Sequence, residues 1–106
     1  MDIIERISEK SVIYAEADGF YCKIRTYENT YEYKKTLSHL EEDLKSDFFY
    51  RTHRSYIVNF KYITSYSQTE ILLENNEKAL LTKTKYFKFQ KAYIDFLKRR
   101  SMGIML

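Results

Sequence analysis

The sequence predicts a mainly β, antiparallel domain with one short internal helix and a C-terminal helix. Short runs rich in β-branched and aromatic residues recur along the first three quarters of the chain. Turn-forming pairs fall between them, and apolar residues take up helical spacing in only two places.

In chain order the strand-like runs are SVIYAEA (11–17), FYCKIRTY (20–27), TYEYKK (30–35), SYIVNF (55–60), YITSYS (62–67) and EILLE (70–74). With no Pro and only Gly19 and Gly103, turns fall to Asp, Asn and their neighbours, and Asp18-Gly19, Glu28-Asn29 and Asn75-Asn76 are the candidates. Within TLSHLEEDLKS (36–46), Leu37, Leu40 and Leu44 follow an i, i+3, i+7 pattern, and Ser38 and Glu41 are spaced as a capping box. From Thr82 onward Tyr86, Phe89, Tyr93 and Phe96 recur at helical spacing while Lys85, Lys88 and Lys91 lie on another face. SMGIML (101–106) reads as a flexible tail or a segment that packs on a neighbouring module.

At 106 residues the chain, 1–106, is expected to be one domain with a single modest core. Cys22 stands alone, with neither CxxC nor a Cys/His cluster, so no disulfide or metal site is expected, and no cofactor. MDIIERISEK is too charged for a signal peptide and no apolar run approaches a membrane span, which points to a cytoplasmic protein without a membrane partner. Charge is divided unevenly. Residues 1–50 carry 7 Lys/Arg against 11 Asp/Glu, and residues 51–106 carry 11 against 4. A basic, aromatic-rich half suits a polyanion binder; the same charge also suits solvated lysine faces.

The basic half opens on FYRTHRSYIVNF (49–60), where alternation fails: Phe49, Arg51, His53, Ser55 and Ile57 share one parity, and Tyr50, Thr52, Arg54, Tyr56 and Val58 the other. The expected arrangement is a strand, a polar loop at Thr52 to Ser55, and a buried strand from Tyr56 to Val58. Such a loop presents Arg54 to a partner on rigid supports. Arg51 either packs its stem and pairs with an acid or touches a ligand, and His53 is a structural histidine in the simpler reading. Asn59 suits a backbone contact at a strand end. A second donor cluster, Thr82, Lys83, Thr84 and Lys85, opens the last helix, where Thr82 is placed to cap it and the free amides suit a phosphate oxygen. An enzyme built on His39 and His53 would lack a nucleophile, a phosphate-cradling Gly loop and a metal set. Single-stranded nucleic acid on an aromatic platform and a protein-interaction module are the remaining rivals. The first draws on 11 Tyr and 7 Phe.

FYRTHRSYIVNFKYI (49–63) resembles the signature of the LytTR DNA-binding domain, in which His-Arg-Ser-Tyr is the specific block. VIYAEADGFYCKIRT (12–26), TLSHLEEDL (36–44) and LLTKTKYF (80–87) are similar to further family blocks, in family order. The resemblance implies small antiparallel sheets with a short helix, inserting loops into the major grooves of double-stranded promoter DNA. It also implies the output domain of a bacterial two-component response regulator, bound as two copies on direct repeats, with a receiver domain as a partner in the full-length protein. This chain is then an excised output domain or a stand-alone member. By position, DNA contacts fall at Arg25, at Arg54 with His53 beside it, and at Lys83, Thr84 and Lys85. Where the family commonly has Ser-Arg this chain has Thr82-Lys83, and lysine lacks the fork for a guanine edge, so phosphate contact is expected there.

Overall fold

Alternation along the first two strands decides the layering. Ala15, Cys22, Ile24, Tyr33 and Ile57 point to one side of a sheet, where they bury Val12 and the helical Leu37 and Leu40. Tyr14 and Val58 point to the other and join Ile63, Ile71, Leu73, Ala79, Phe89 and Phe96. The chain therefore has two apolar clusters, one on each face of a sheet, where a single core was expected.

The computed structural model describes residues 7–105, with the side chains of 102–105 left aside. Its elements are β1 (Tyr14–Asp18), β2 (Tyr21–Arg25), β3 (Thr30–Tyr33), α1 (Leu37–Asp43), β4 (Phe49–His53), β5 (Tyr56–Asn59), β6 (Ile63–Tyr66), β7 (Glu70–Leu73), β8 (Lys78–Leu80) and α2 (Tyr86–Met105), with 3-10 turns at Glu9–Ser11, Phe60–Tyr62 and Lys83–Lys85. One sheet runs β3-β2-β1-β5-β4 and the other β6-β7-β8, and every pairing is antiparallel. The mainly β expectation holds, with both helices in place. The β1–β2 hairpin turns at Gly19, whose φ of +64° is a conformation glycine adopts without the Cβ penalty. Asn76, at φ +67°, does the same work in the β7–β8 turn.

Four local expectations change. α1 is capped by Thr36, whose side chain accepts from the His39 amide, two residues before Ser38. β8 is not among the expected strands, because three residues with lysine at one end are too short to show a period. α2 starts at Tyr86 behind a 3-10 turn, and the Thr82 side chain makes no cap bond. Its backbone stays helical to Met105, so 101–105 continues the helix that was expected to end before them; Leu106 lies outside the described residues.

Asn59 shows how the sheets are joined. Fully buried, it donates from Nδ2 to the Val12 carbonyl at 2.8 Å and accepts from the Lys61 amide at 2.8 Å. That satisfies both ends of a buried amide and turns the chain from the first sheet into the second.

Candidate nucleic-acid interface

The break in alternation at residues 49–60 is a β-bulge. β4 pairs Arg51 with Ile57 and then His53 with Tyr56, leaving Thr52 as the extra residue. The polar loop is thus shorter than expected: Thr52 and His53 belong to β4, and the turn is Arg54-Ser55. Thr52 is fully buried, donates its hydroxyl to the Leu80 carbonyl at 2.8 Å, and its own carbonyl accepts from the Thr82 amide at 2.9 Å. Those two bonds tie the hairpin to the segment that enters the closing loop.

Around the turn, three side chains have distinct duties. Arg51 donates from Nε to the His53 carbonyl at 2.8 Å and from an Nη to the Arg54 carbonyl, and pairs with Glu41 Oε1 of α1 at 3.0 Å. His53 accepts the Ser55 amide on Nδ1 at 3.0 Å, which requires Nδ1 to be unprotonated. Its pKa is lowered from the ordinary 6.5 by burial first, and then by the cationic Arg54, Lys85 and Arg51. Arg54 itself is exposed at the tip.

Beside it, the 3-10 turn Lys83–Lys85 closes with the Lys85 amide donating to the Thr82 carbonyl at 2.8 Å, and Lys83 and Thr84 face solvent. Thr82 and Lys85 line one open groove with Glu41, Arg51, His53 and Arg54. Among the described residues no carboxylate forms an ion pair with Arg54, Lys83 or Lys85. The structure thus brings His53, Arg54, Lys85 and the adjoining Lys83 and Thr84 to one side of the molecule.

Arg25 lies elsewhere. It sits on β2, paired from Nε to Glu77 Oε1 at 2.7 Å and hydrogen-bonded to the Thr30 hydroxyl, in a separate concavity with Tyr14, Glu16 and Lys23. The Tyr14 hydroxyl also donates to Glu77, and burial raises its pKa, with Glu77 adding to the effect. Sequence reasoning missed Glu41, which it had assigned to a cap, and the buried role of Thr52. Neither carries a local signal, because their partners lie 10 and 28 residues away. Among the described residues there is no His/Cys/Asp/Glu group fit for a metal, and no helix long and apolar enough to cross a membrane. What this surface offers is a cluster of cations and hydroxyls for an anionic partner.

The model of the LytTr DNA-binding domain family matches residues 2–94. This chain belongs to the LytTR DNA-binding domain family. Its LytTR fold superposes on the LytTr DNA-binding domain of a putative methyl-accepting/DNA response regulator from Bacillus cereus with a TM-score of 0.70 at 25% identity, covering 83% of this chain and 84% of that one. It is 32% identical over 93 residues to the transcriptional regulatory protein NatR of Bacillus subtilis (strain 168), a match covering 82% of this chain and 40% of NatR. It is 36% identical over 66 residues to the CO-responsive transcriptional regulator RcoM of Rhodospirillum rubrum, covering 62% of this chain and 28% of RcoM. The LytTR chain thus spans well under half the length of these relatives. As a LytTR domain it is a DNA-binding output module of the transcriptional-regulator type, rather than an enzyme.

Proposed function

We propose that this LytTR domain binds a specific double-stranded promoter sequence through two adjacent loops set in the major groove. Arg54 reads base edges, while Lys83, Thr84 and Lys85 hold phosphates and His53 lies beside them at the groove edge. The observation that carries the reading is Arg54 at the tip of a two-residue turn, unpaired by any carboxylate among the described residues, beside three donors of the closing loop. Lysines that neutralise phosphates give affinity for any duplex, and a fork-shaped guanidinium gives discrimination. Arg25 joins the contact set only by exchanging Glu77 for DNA. In this reading two copies bind direct repeats, and a receiver domain partners the LytTR domain in a two-component regulator; the names of NatR and RcoM, both transcriptional regulators, support the regulatory role alone.

Single-stranded binding on an aromatic platform has less support. Tyr33, Phe60, Phe89 and Phe96 are buried, and of the well-exposed rings Phe20 lies in the β1–β2 turn, Tyr27 in the β2–β3 turn and Phe87 on α2.

The test is selection of a duplex from a random pool, followed by titration of wild type and Arg54→Ala on that duplex and a scrambled one. Arg54→Ala is expected to cost about 1–3 kcal/mol on the selected duplex and little on the scrambled one. An unchanged ratio of the two affinities refutes base reading by Arg54.

A further inference from the structure

Three groups of the Arg51 guanidinium are engaged at once: Nε on the His53 carbonyl, one Nη on the Arg54 carbonyl, and the other on Glu41. The two carbonyls belong to consecutive residues at the entry to the turn. The fork therefore fixes the peptide planes on either side of Arg54. A bulged strand needs such a fastening, because the bulge interrupts the ladder immediately before the turn and increases local twist. With only 20% of its side chain exposed and its charge offset by Glu41, Arg51 is poorly disposed to meet a phosphate.

Arg51 pairs in register with Ile57, whose side chain belongs to the cluster under α1. Its guanidinium is thus on the α1 side of the sheet, where Glu41 can reach it. Lysine in its place would keep the charge but offer a compact ammonium without the planar fork.

We propose that Arg51, oriented by Glu41, is a positioning residue that sets the direction of Arg54 and so the selectivity of the domain without touching DNA. The proposal rests on the reading of Arg54 given above. It makes an acidic residue on α1 a contributor to DNA sequence preference.

The variants that test it are Arg51→Lys, Glu41→Gln and Arg54→Ala, each first checked for a cooperative urea transition. Two quantities are measured. The first is the backbone 15N order parameter of Arg54 and Ser55 in the free protein. The second is the ratio of affinities for the selected and scrambled duplexes, with the salt slope of each. Arg51→Lys and Glu41→Gln are expected to lower the turn's order parameters from the rigid value of about 0.85 toward the flexible range below about 0.6. They are also expected to reduce the affinity ratio at least about fivefold, a part of what a base contact contributes, at an unchanged salt slope.

Unchanged order parameters overturn the proposal whatever the DNA does. A ratio that falls in Arg54→Ala but holds in both other variants overturns it as well, because the fastening would then not govern selectivity. Equal gains in affinity for both duplexes in Glu41→Gln, the signature of a repelling charge removed, have the same effect. If Arg54→Ala alone leaves the ratio unchanged, base reading by Arg54 has failed. The selectivity claim then falls with it, and the order parameters separately report whether Arg51 holds the turn.

Discussion

Replacing Thr52 with valine tests whether the β4 bulge joins the two sheets. The substitution keeps volume and β-branching and removes one hydroxyl, which donates to the Leu80 carbonyl at 2.8 Å from a residue that is 0% exposed. A typical hydrogen bond contributes about 0.5–1.5 kcal/mol, but deleting only the donor leaves the part-buried carbonyl short of a partner, so the expected loss is about 1–3 kcal/mol. For a domain of roughly this size each kcal/mol is about 4–8 °C in Tm. Urea unfolding should show a lower midpoint at an unchanged m-value, since the folded and unfolded surfaces are the same. The backbone bond from the Thr82 amide to the Thr52 carbonyl remains in the variant. DNA selectivity should therefore survive in the folded fraction. A variant within about 0.5 kcal/mol of wild type, the range of an inconsequential surface change, would refute the view that this hydroxyl ties β4 to β8.

Phe89→Ala removes a fully buried ring that meets Tyr50, Phe60, Tyr66 and Tyr93, and is expected to cost about 3–5 kcal/mol in chemical denaturation. His53, with its pKa lowered in the fold, is neutral in both states above 6.5. As pH falls below 6.5 the unfolded chain takes the proton first, so stability declines until the folded-state pKa is passed. His53→Asn, which keeps an acceptor for the Ser55 amide and does not titrate, should lose less stability between pH 7.5 and pH 5.5 in paired urea titrations. Lys83→Ala should weaken selected and scrambled duplexes alike and lower the salt slope of each by about one.

Most strands were legible because they are short runs rich in β-branched and aromatic residues bounded by turn signals: β1, β2, β3, β5, β6 and β7 fall within a residue of the runs expected of them. The place where reading failed is instructive. Inserting Thr52 reverses the parity of everything after it, so Arg51 and His53, of one parity in sequence, no longer belong to one face in the fold. A bulge looks, in sequence, like a loop. The donors of the proposed site are legible as types, because Arg54, Lys83, Thr84 and Lys85 fall in turns that interrupt apolar runs. Their electrostatic state is not. Arg25 has the same residue type as Arg54, yet its Glu77 partner is 52 residues away in the β7–β8 turn, and nothing in the local sequence marks that pairing.

The bulge also explains why one short hairpin can belong to the core and the site at once. A regular strand sends neighbouring side chains to opposite faces and has no position free to do a third thing. Here Arg51 goes toward α1, Thr52 into the joint with β8, and Arg54 beyond the strand into solvent. Each of the first two directions ends in a fixed partner, so the third is defined relative to both layers of the molecule. A guanidinium carried on such a turn gives up less conformational freedom on binding than one on a flexible loop, and that saving applies equally to every duplex. In the proposed reading, discrimination comes from the direction in which the turn carries Arg54: the fork meets one arrangement of base acceptors well and leaves donors unpaired against others. Loosening the support should therefore reduce selectivity before it reduces affinity for DNA in general.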